Sequence, residues 1–102
     1  MSETQLVKSI LEAVNHYGFF WRNNTGAQKI NNDHGSRFVR FGLPGSADII
    51  GVHKGRFIAI EVKSKRCRQS TNQQQFQLNI EKYGGSYILA FSIDDALKGI
   101  NK

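Results

Sequence analysis

Two acidic residues near the middle of the sequence lie among apolar neighbours, and a lysine closely follows the second. Asp48 precedes the apolar run IIGV, and Glu61 follows the run FIAI, two residues before Lys63. Paired carboxylates are ligands for hard cations such as Mg²⁺, and an ammonium group beside them can bind a phosphate. If the fold brings these three side chains together, they can bind a phosphodiester, polarise it and position an attacking water.

The segment between the two acids predicts a β-hairpin that would bring them together. Lys54-Gly55 is a two-residue turn signal because glycine readily adopts a positive φ, and apolar runs flank it on both sides. A turn centred there pairs Asp48 with Glu61, at about 4.5–5.5 Å between Cβ atoms, whereas a one-residue shift would separate them. Like charges so close repel, so we expect a bound cation or a raised pKa at one carboxyl.

Strand alternation places Glu61 and Lys63 on one face and Val62 on the other. A Glu-x-Lys pair by itself is most often a surface ion pair of little energetic value. The opposed Asp48, the basic run that follows, and Gln73 on the apolar face of a predicted helix favour a functional site instead. The main-chain carbonyl of Val62 is a further candidate metal ligand.

A first helix is predicted over residues 3–17, where apolar side chains recur with helical spacing. Ser2 and Gln5 form a capping-box pattern at its start. Glu3 continues the apolar stripe at its N-terminal end, so it is either an acid that complements the helix dipole or part of the site. Glu12 is the alternative acid on this helix.

The pattern as a whole predicts an α/β fold in the order α, three or four strands, α, β, α. Strands are expected at residues 19–22, at 37–41 and on both sides of the Lys54-Gly55 turn. Residues 27–36 are polar and aperiodic and predict an exposed loop. We therefore expect one domain spanning residues 1–102, with a small mixed sheet whose central β-hairpin is flanked by helices.

A second helix is predicted between the basic run and Gly84-Gly85. Its capping box is formed either by Ser70 with Gln73 or by Thr71 with Gln74. Three side chains at helical spacing should line its buried face: Phe76, Ile80 and Tyr83.

The chain has the size and composition of a small domain with a single core. It contains 102 residues, of which 39% are hydrophobic, so disorder is not expected. No apolar run approaches the ~20 residues that span a bilayer, and the N-terminus lacks secretory features, so we expect a cytoplasmic protein without a membrane partner. The lone Cys67 can form no internal disulfide, which fits a reducing compartment.

The excess of basic residues favours a polyanionic partner such as nucleic acid. Lysine and arginine number 14 against 8 acidic residues, which gives a net charge of +6. Any one of these cations could equally be a solvated surface charge, but several cluster near the two acids. The candidate phosphate contacts are Arg22, Arg37, Arg40, Lys65, Arg66 and Arg68. Residues 42–46 lack the lysine and the length of a P-loop, so no nucleotide cofactor is expected.

Taken together, these residues resemble the VRR-NUC (virus-type replication-repair nuclease) family of the PD-(D/E)xK nuclease superfamily. The likeness covers nearly the whole chain, and the segments that carry it are Glu3, WRNNTG at 21–26, GLPGSAD at 42–48, EVK at 61–63, Gln73 with Phe76, and Gly84-Gly85. Ala47 stands where the superfamily motif has proline, and Pro44 lies further upstream. The short chain is similar to the stand-alone members found in phages and bacteria.

The resemblance implies a restriction-endonuclease-like fold and a Mg²⁺- or Mn²⁺-dependent DNA endonuclease. It further implies a homodimer that prefers branched DNA such as flaps or four-way junctions and acts in the cytoplasm of a bacterium or phage-infected cell. The implied metal ligands are Asp48, Glu61, the Val62 carbonyl and Glu3. Lys63 would orient or activate the water, and Gln73 would support the site from the second helix.

A second hypothesis is a DNA-binding module that keeps the fold without catalysis. The paired acids Asp48 and Glu61 favour the enzyme, because a protein that only binds DNA gains nothing from opposing two negative charges.

Overall fold

The protein folds into three helices and two β-sheets. A computed structural model describes residues 1–102, apart from the side chain of Ala27. The helices are α1 (Glu3–Val14), α2 (Thr71–Lys82) and α3 (Ile93–Ile100). The strands are β1 (Phe19–Arg22), β2 (Gly26–Asn32), β3 (Gly35–Phe41), β4 (Ile49–His53), β5 (Arg56–Val62) and β6 (Ser86–Ala90). None of the helices in the described chain is both long and apolar enough to cross a membrane.

The larger sheet is mixed and has the strand order β1-β4-β5-β6. The pairs β1–β4 and β4–β5 are antiparallel, whereas β6 lies parallel to β5. A parallel neighbour requires a long crossover connection, and α2 provides it. This arrangement confirms the expected small mixed α/β protein with a central hairpin and flanking helices.

The main core lies between one face of this sheet and the helices α1 and α3. Its largest fully buried side chains are Ile10, Val14, Ile49, Ile58, Ile60 and Val62. The opposite face carries a smaller cluster in which Phe76 of α2 packs on Ala47 and Ala59. Because alternate residues of β5 point to opposite faces, Glu61 and Lys63 lie on the α2 side, as the sequence predicted.

The hairpin β4–β5 has the predicted turn and register. Lys54 and Gly55 both have positive φ angles, 52° and 77°, as a tight hairpin turn of this hand requires. The ladder runs from the pair His53 and Arg56 to the pair Ile49 and Ile60. The ladder ends one position before Asp48. Asp48 and Glu61, the predicted partners, therefore lie just beyond its last pair.

The prediction of an exposed loop at residues 27–36 is wrong, because this segment consists of strand β2, a turn and the start of strand β3. The two strands pair antiparallel from Gly26 with Phe41 to Asn32 with Gly35. This pair forms a separate sheet in which the described side chains are mostly exposed, so no alternation of polar and apolar residues marks it in the sequence. Five strands therefore precede α2, rather than three or four.

Other differences from the expected elements are local. Tyr83 is 80% exposed instead of lining the buried face of α2, because it caps the helix in a non-helical conformation and leaves the apolar stripe. Of the two possible capping boxes of α2, the one between Ser70 and Gln73 is formed. Helix α1 ends at Val14, three residues before the predicted end.

Candidate active site

Asp48 lies at the point where the loop after β3 enters β4. Its backbone carbonyl accepts a hydrogen bond from the Asn23 amide at 2.8 Å, which extends the contact between β1 and β4. Its Oδ2 accepts a hydrogen bond from the Val62 amide at 2.8 Å. The carboxylate therefore accepts a hydrogen bond from the backbone of β5. If the ladder continued, a backbone carbonyl of the opposite strand would accept that hydrogen bond instead.

Glu61 is 5% exposed, which makes it one of the few buried charged residues in the described chain. Gln73 of α2 donates a hydrogen bond from Nε2 to Glu61 Oε2 at 3.0 Å. The Lys63 ammonium lies 3.6 Å from the same oxygen. A buried carboxylate needs such partners because desolvation disfavours its charged form.

The environment of the pair disfavours two negative charges. Burial raises the pKa of Glu61 to about 7, and the negative charge of Asp48 adds to the rise, while Lys63 opposes it. Burial also raises the pKa of Asp48, although the hydrogen bond from Val62 partly offsets this. Without a cation, the site therefore holds its second negative charge poorly at neutral pH, as the sequence predicted for closely placed acids.

The main-chain carbonyl of Val62 lies at the same edge as the carboxylates. The Lys63 amide donates to the Ala90 carbonyl in β6 at 2.9 Å, so the polar backbone groups of Lys63 face β6. Successive residues in a strand direct these groups to opposite neighbours, so those of Val62 face β4, where its amide meets Asp48. The candidate oxygen ligands thus come from two segments of the hairpin, Asp48 just before β4 and the residues Glu61 and Val62 at the end of β5.

Glu3 is close to the site but is held by another residue. Its Oε2 accepts hydrogen bonds from the amide and hydroxyl of Ser64, at 3.3 Å and 3.4 Å. Its negative charge contributes to the raised pKa of both Asp48 and Glu61. Within the described part of the chain, no three His, Cys, Asp or Glu side chains gather closely enough to hold an ion. The alternative acid, Glu12, is exposed further along α1.

The first turn of α2 and the loop before β4 fix the positions of the acids. Gln73 has two roles, since its Oε1 accepts from the Ser70 amide in the capping box while its Nε2 binds Glu61. Gly45 lies so close to the backbone of Asn72 that any side chain there would collide with it. The helix start and the loop that leads to Asp48 are therefore packed directly against each other.

The cations that were predicted to contact DNA lie in three different parts of the chain. Arg22 ends β1, and its charge lowers the pKa of Asp48, so it lies near the carboxylates. Lys65, Arg66 and Arg68 are exposed in the irregular segment that follows Lys63. Arg66 also lies over the Phe91 ring, 5.7 Å from its centroid. The remaining two candidates, Arg37 and Arg40, lie on the separate sheet β2–β3.

Sequence reasoning missed three polar residues that support the site. Asn23 donates from Nδ2 to the Ala47 carbonyl at 3.0 Å, and Ser64 binds Glu3 as described. Tyr87 pairs with Ala59 across β5 and β6, and the charges of both acids help to raise its pKa after burial. Only Tyr87 carried a usable signal, a polar aromatic in an apolar strand, because the others act through contacts between distant segments.

Comparison with known proteins finds no match, either among protein-family models or among curated proteins. The chemistry of this chain is therefore inferred from its own residues and their geometry.

Proposed function

We propose that the protein is a metal-dependent DNA endonuclease with a restriction-endonuclease-like core, of the VRR-NUC type. The observation that carries the proposal is the buried Glu61, whose pKa of about 7 reflects burial and the adjacent charge of Asp48. Such a pair is costly in a protein that only binds DNA, and a divalent cation offsets the cost directly. The non-catalytic module remains the competing hypothesis.

The donor set fits Mg²⁺ or Mn²⁺. The carboxylates of Asp48 and Glu61 and the carbonyl of Val62 are hard oxygen ligands, and all three lie at one end of the β4–β5 hairpin. Three protein oxygens leave coordination positions for water and for a phosphate oxygen, as Mg²⁺ sites in proteins usually do. Glu3 is a candidate for binding a water of that shell, since its carboxylate is already held by Ser64.

The protein's own groups have distinct roles in this mechanism. When bound, the ion supplies Lewis-acid polarisation of the phosphodiester and lowers the pKa of a neighbouring water. Lys63, 3.6 Å from Glu61, orients that water or neutralises charge that develops on the phosphate. Gln73 fixes the orientation of Glu61 through its 3.0 Å hydrogen bond, which leaves the carboxylate aligned before substrate arrives.

The DNA partner is supported by the net charge of +6 and by the cations beside the acids. Arg22 and the exposed residues Lys65, Arg66 and Arg68 lie on both sides of the site along the chain. Contacts of this kind hold the sugar–phosphate backbone and do not read bases. In this proposal the enzyme prefers branched DNA, such as four-way junctions or flaps.

In the same proposal the enzyme acts as a homodimer. Symmetrical cutting of two strands requires two active sites, and each chain carries one. The α2 side of the sheet is covered only in part. A row of ladder partners on β1, β4 and β5 remains exposed on this side: Phe19, Val52 and Phe57. An exposed apolar row of this kind is a suitable contact surface for a second copy of the chain.

The test of the proposal is cleavage of labelled linear, flap and four-way DNA with Mg²⁺, Mn²⁺ or EDTA. We expect cutting with either metal and none in EDTA, and Asp48→Ala should lower the rate at least about 100-fold, since it removes a metal ligand. Asp94→Ala is the matched control, because Asp94 lies on the exposed face of α3 in an ion pair with Lys98. Binding of DNA without cutting in either metal would contradict the enzyme and favour the binding module.

A further inference from the structure

The paired strands β2 and β3, with their turn, form a separate structural unit, which we call the ribbon (residues 26–41). Its described side chains are mostly exposed, and the molecule is elongated, with extents of 51 × 32 × 26 Å. Both ends of the ribbon lie close to the candidate active site. It begins three residues after Asn23, which binds the backbone of Asp48, and it ends seven residues before Asp48.

The register of the ribbon separates its side chains into two different faces. Cross-strand partners share a face, so Lys29 lies beside Phe38, and Arg40 lies diagonally from Lys29 on that same face. We call this the polar face, and its described members are Lys29, Asn31, Ser36, Phe38 and Arg40. The opposite face holds Ile30, Val39 and Phe41 together with Gln28 and Arg37. Arg37 is therefore separated from Arg40 by the thickness of the sheet.

Resting on the proposed function, we propose that the polar face of the ribbon binds one duplex arm of the DNA substrate beside the cleavage site. Lys29 and Arg40 contact phosphates, and Phe38 lies against the groove between them. Arg37 is not part of this contact. Of the two arginines of the ribbon, only Arg40 therefore contacts DNA, because it lies on the polar face.

Charge complementarity is the first reason for this partner. The ribbon carries three cations, Lys29, Arg37 and Arg40, and only one acid, Asp33 at its turn. Two of the cations flank Phe38, which is 72% exposed. Cations beside an exposed aromatic ring suit a nucleic acid, which offers phosphates and sugar or base surfaces together.

Shape and position are the second reason. A two-stranded antiparallel ribbon has a width that the DNA major groove admits. The seven-residue strands of the ribbon span roughly 20 Å, which corresponds to about six base pairs along a duplex. Both ends of the ribbon connect to the segments that hold Asp48, so in this proposal a duplex on the ribbon lies beside the carboxylates.

The experiment measures DNA affinity as a function of salt in EDTA, where no cutting occurs, using a labelled duplex and a single strand of the same sequence. Lys29→Ala and Arg40→Ala should each weaken duplex binding about 3- to 10-fold and lower the salt slope by about 0.9, as loss of one phosphate contact predicts. Phe38→Ala should weaken binding without changing the slope. Lys82→Ala, which removes an exposed lysine at the end of α2 away from the site, is the matched control and should change neither quantity appreciably. Arg37→Ala tests the side of the ribbon, because Arg37 lies on the opposite face and its loss should weaken binding less than Lys29→Ala does.

The outcomes separate this proposal from the proposed function. If the wild-type protein cuts and binds DNA but Lys29→Ala behaves like Arg37→Ala, the ribbon surface is wrong and the nuclease stands. An equal loss in Arg37→Ala would also overturn it, because the contact would then have no defined face. Equal losses for the single strand would replace the duplex with a single-stranded ligand. If the wild-type protein neither binds nor cuts DNA, the proposed function fails, and the ribbon proposal fails with it.

Discussion

At the scale of single residues, the partners of Glu61 only partly offset the cost of burying its negative charge. Glu61 is buried beside Asp48, and its neutralising neighbours are one ammonium and one amide, from Lys63 and Gln73. These partners do not cancel the effect of burial, since the pKa of Glu61 stays at about 7. The burial of Glu61 therefore lowers the unfolding free energy of the metal-free protein at neutral pH.

We predict that the metal-free protein loses stability between about pH 4.5 and 7. In this range folded Glu61 keeps a proton that the unfolded chain has released, so the unfolding free energy falls as pH rises. The loss is on the order of 3 kcal/mol, because folding raises the pKa of Glu61 from 4.5 to about 7, and it is complete above pH 7. Urea unfolding in EDTA at several pH values should show the loss in Glu12→Gln, an exposed control, and not in Glu61→Gln. Parallel curves for the two variants would contradict the burial of a titrating Glu61.

At the scale of elements, two helices begin with the same capping box, but only in α2 does the capping glutamine also bind one of the paired acids. Ser2 with Gln5 and Ser70 with Gln73 are both complete capping boxes. In α2 the side chain of Gln73 has a second hydrogen bond, to Glu61, whereas among the described residues the side chain of Gln5 bonds only to the Ser2 amide. The position of Glu61 is thus coupled to the formation of a helix start.

The exchange of glutamine for glutamate at these two positions tests the coupling. Gln73→Glu keeps an acceptor for the Ser70 amide but places a carboxylate within 3.0 Å of Glu61. We expect the metal-free variant at pH 8 to be on the order of 1–2 kcal/mol less stable than the Gln5→Glu variant. The gap should shrink near pH 4.5, where the acids take up protons. Equal stabilities at pH 8 would mean that Gln73 acts only as a cap.

At the scale of the whole molecule, the sheet is covered unequally. Two helices cover one face, but α2 leaves the β1 end of the other face open. Phe19 is 71% exposed there, and its ladder partner Val52 is 42% exposed. Exposed apolar side chains that lie side by side on adjacent strands mark an interaction surface more strongly than a single exposed residue does.

We predict that this row forms the dimer interface. Phe19→Ser should weaken self-association at least about tenfold, since large aromatic side chains dominate such contacts. Leu78→Ser is the control, because Leu78 is a single exposed leucine on α2 and is 62% exposed. Sedimentation velocity over a range of concentrations measures the effect. A monomeric wild-type protein, or a larger effect at Leu78, would contradict this interface.

Much of the fold and the centre of the site could be predicted from sequence, because they depend on local sequence patterns such as turn residues, strand alternation and capping boxes. The Lys54-Gly55 turn sets the register of β4 and β5, and alternation along β5 then places Glu61 and Lys63 on one face. The capping boxes locate the starts of α1 and α2. Each of these features depends on residues only a few positions apart or on a symmetric count from one turn.

The details that sequence did not determine depend on contacts between distant segments. Asp48 turns from the ladder to the amide of Val62, and Glu3 binds Ser64, a residue 61 positions away in the chain. The ribbon at residues 26–41 left no periodic signal, because with both faces exposed no alternation is needed. The sequence by itself determined which acids meet and which lysine joins them. Only the tertiary structure decided how deeply Glu61 is buried, and thus its raised pKa, because burial depends on every element packed around it.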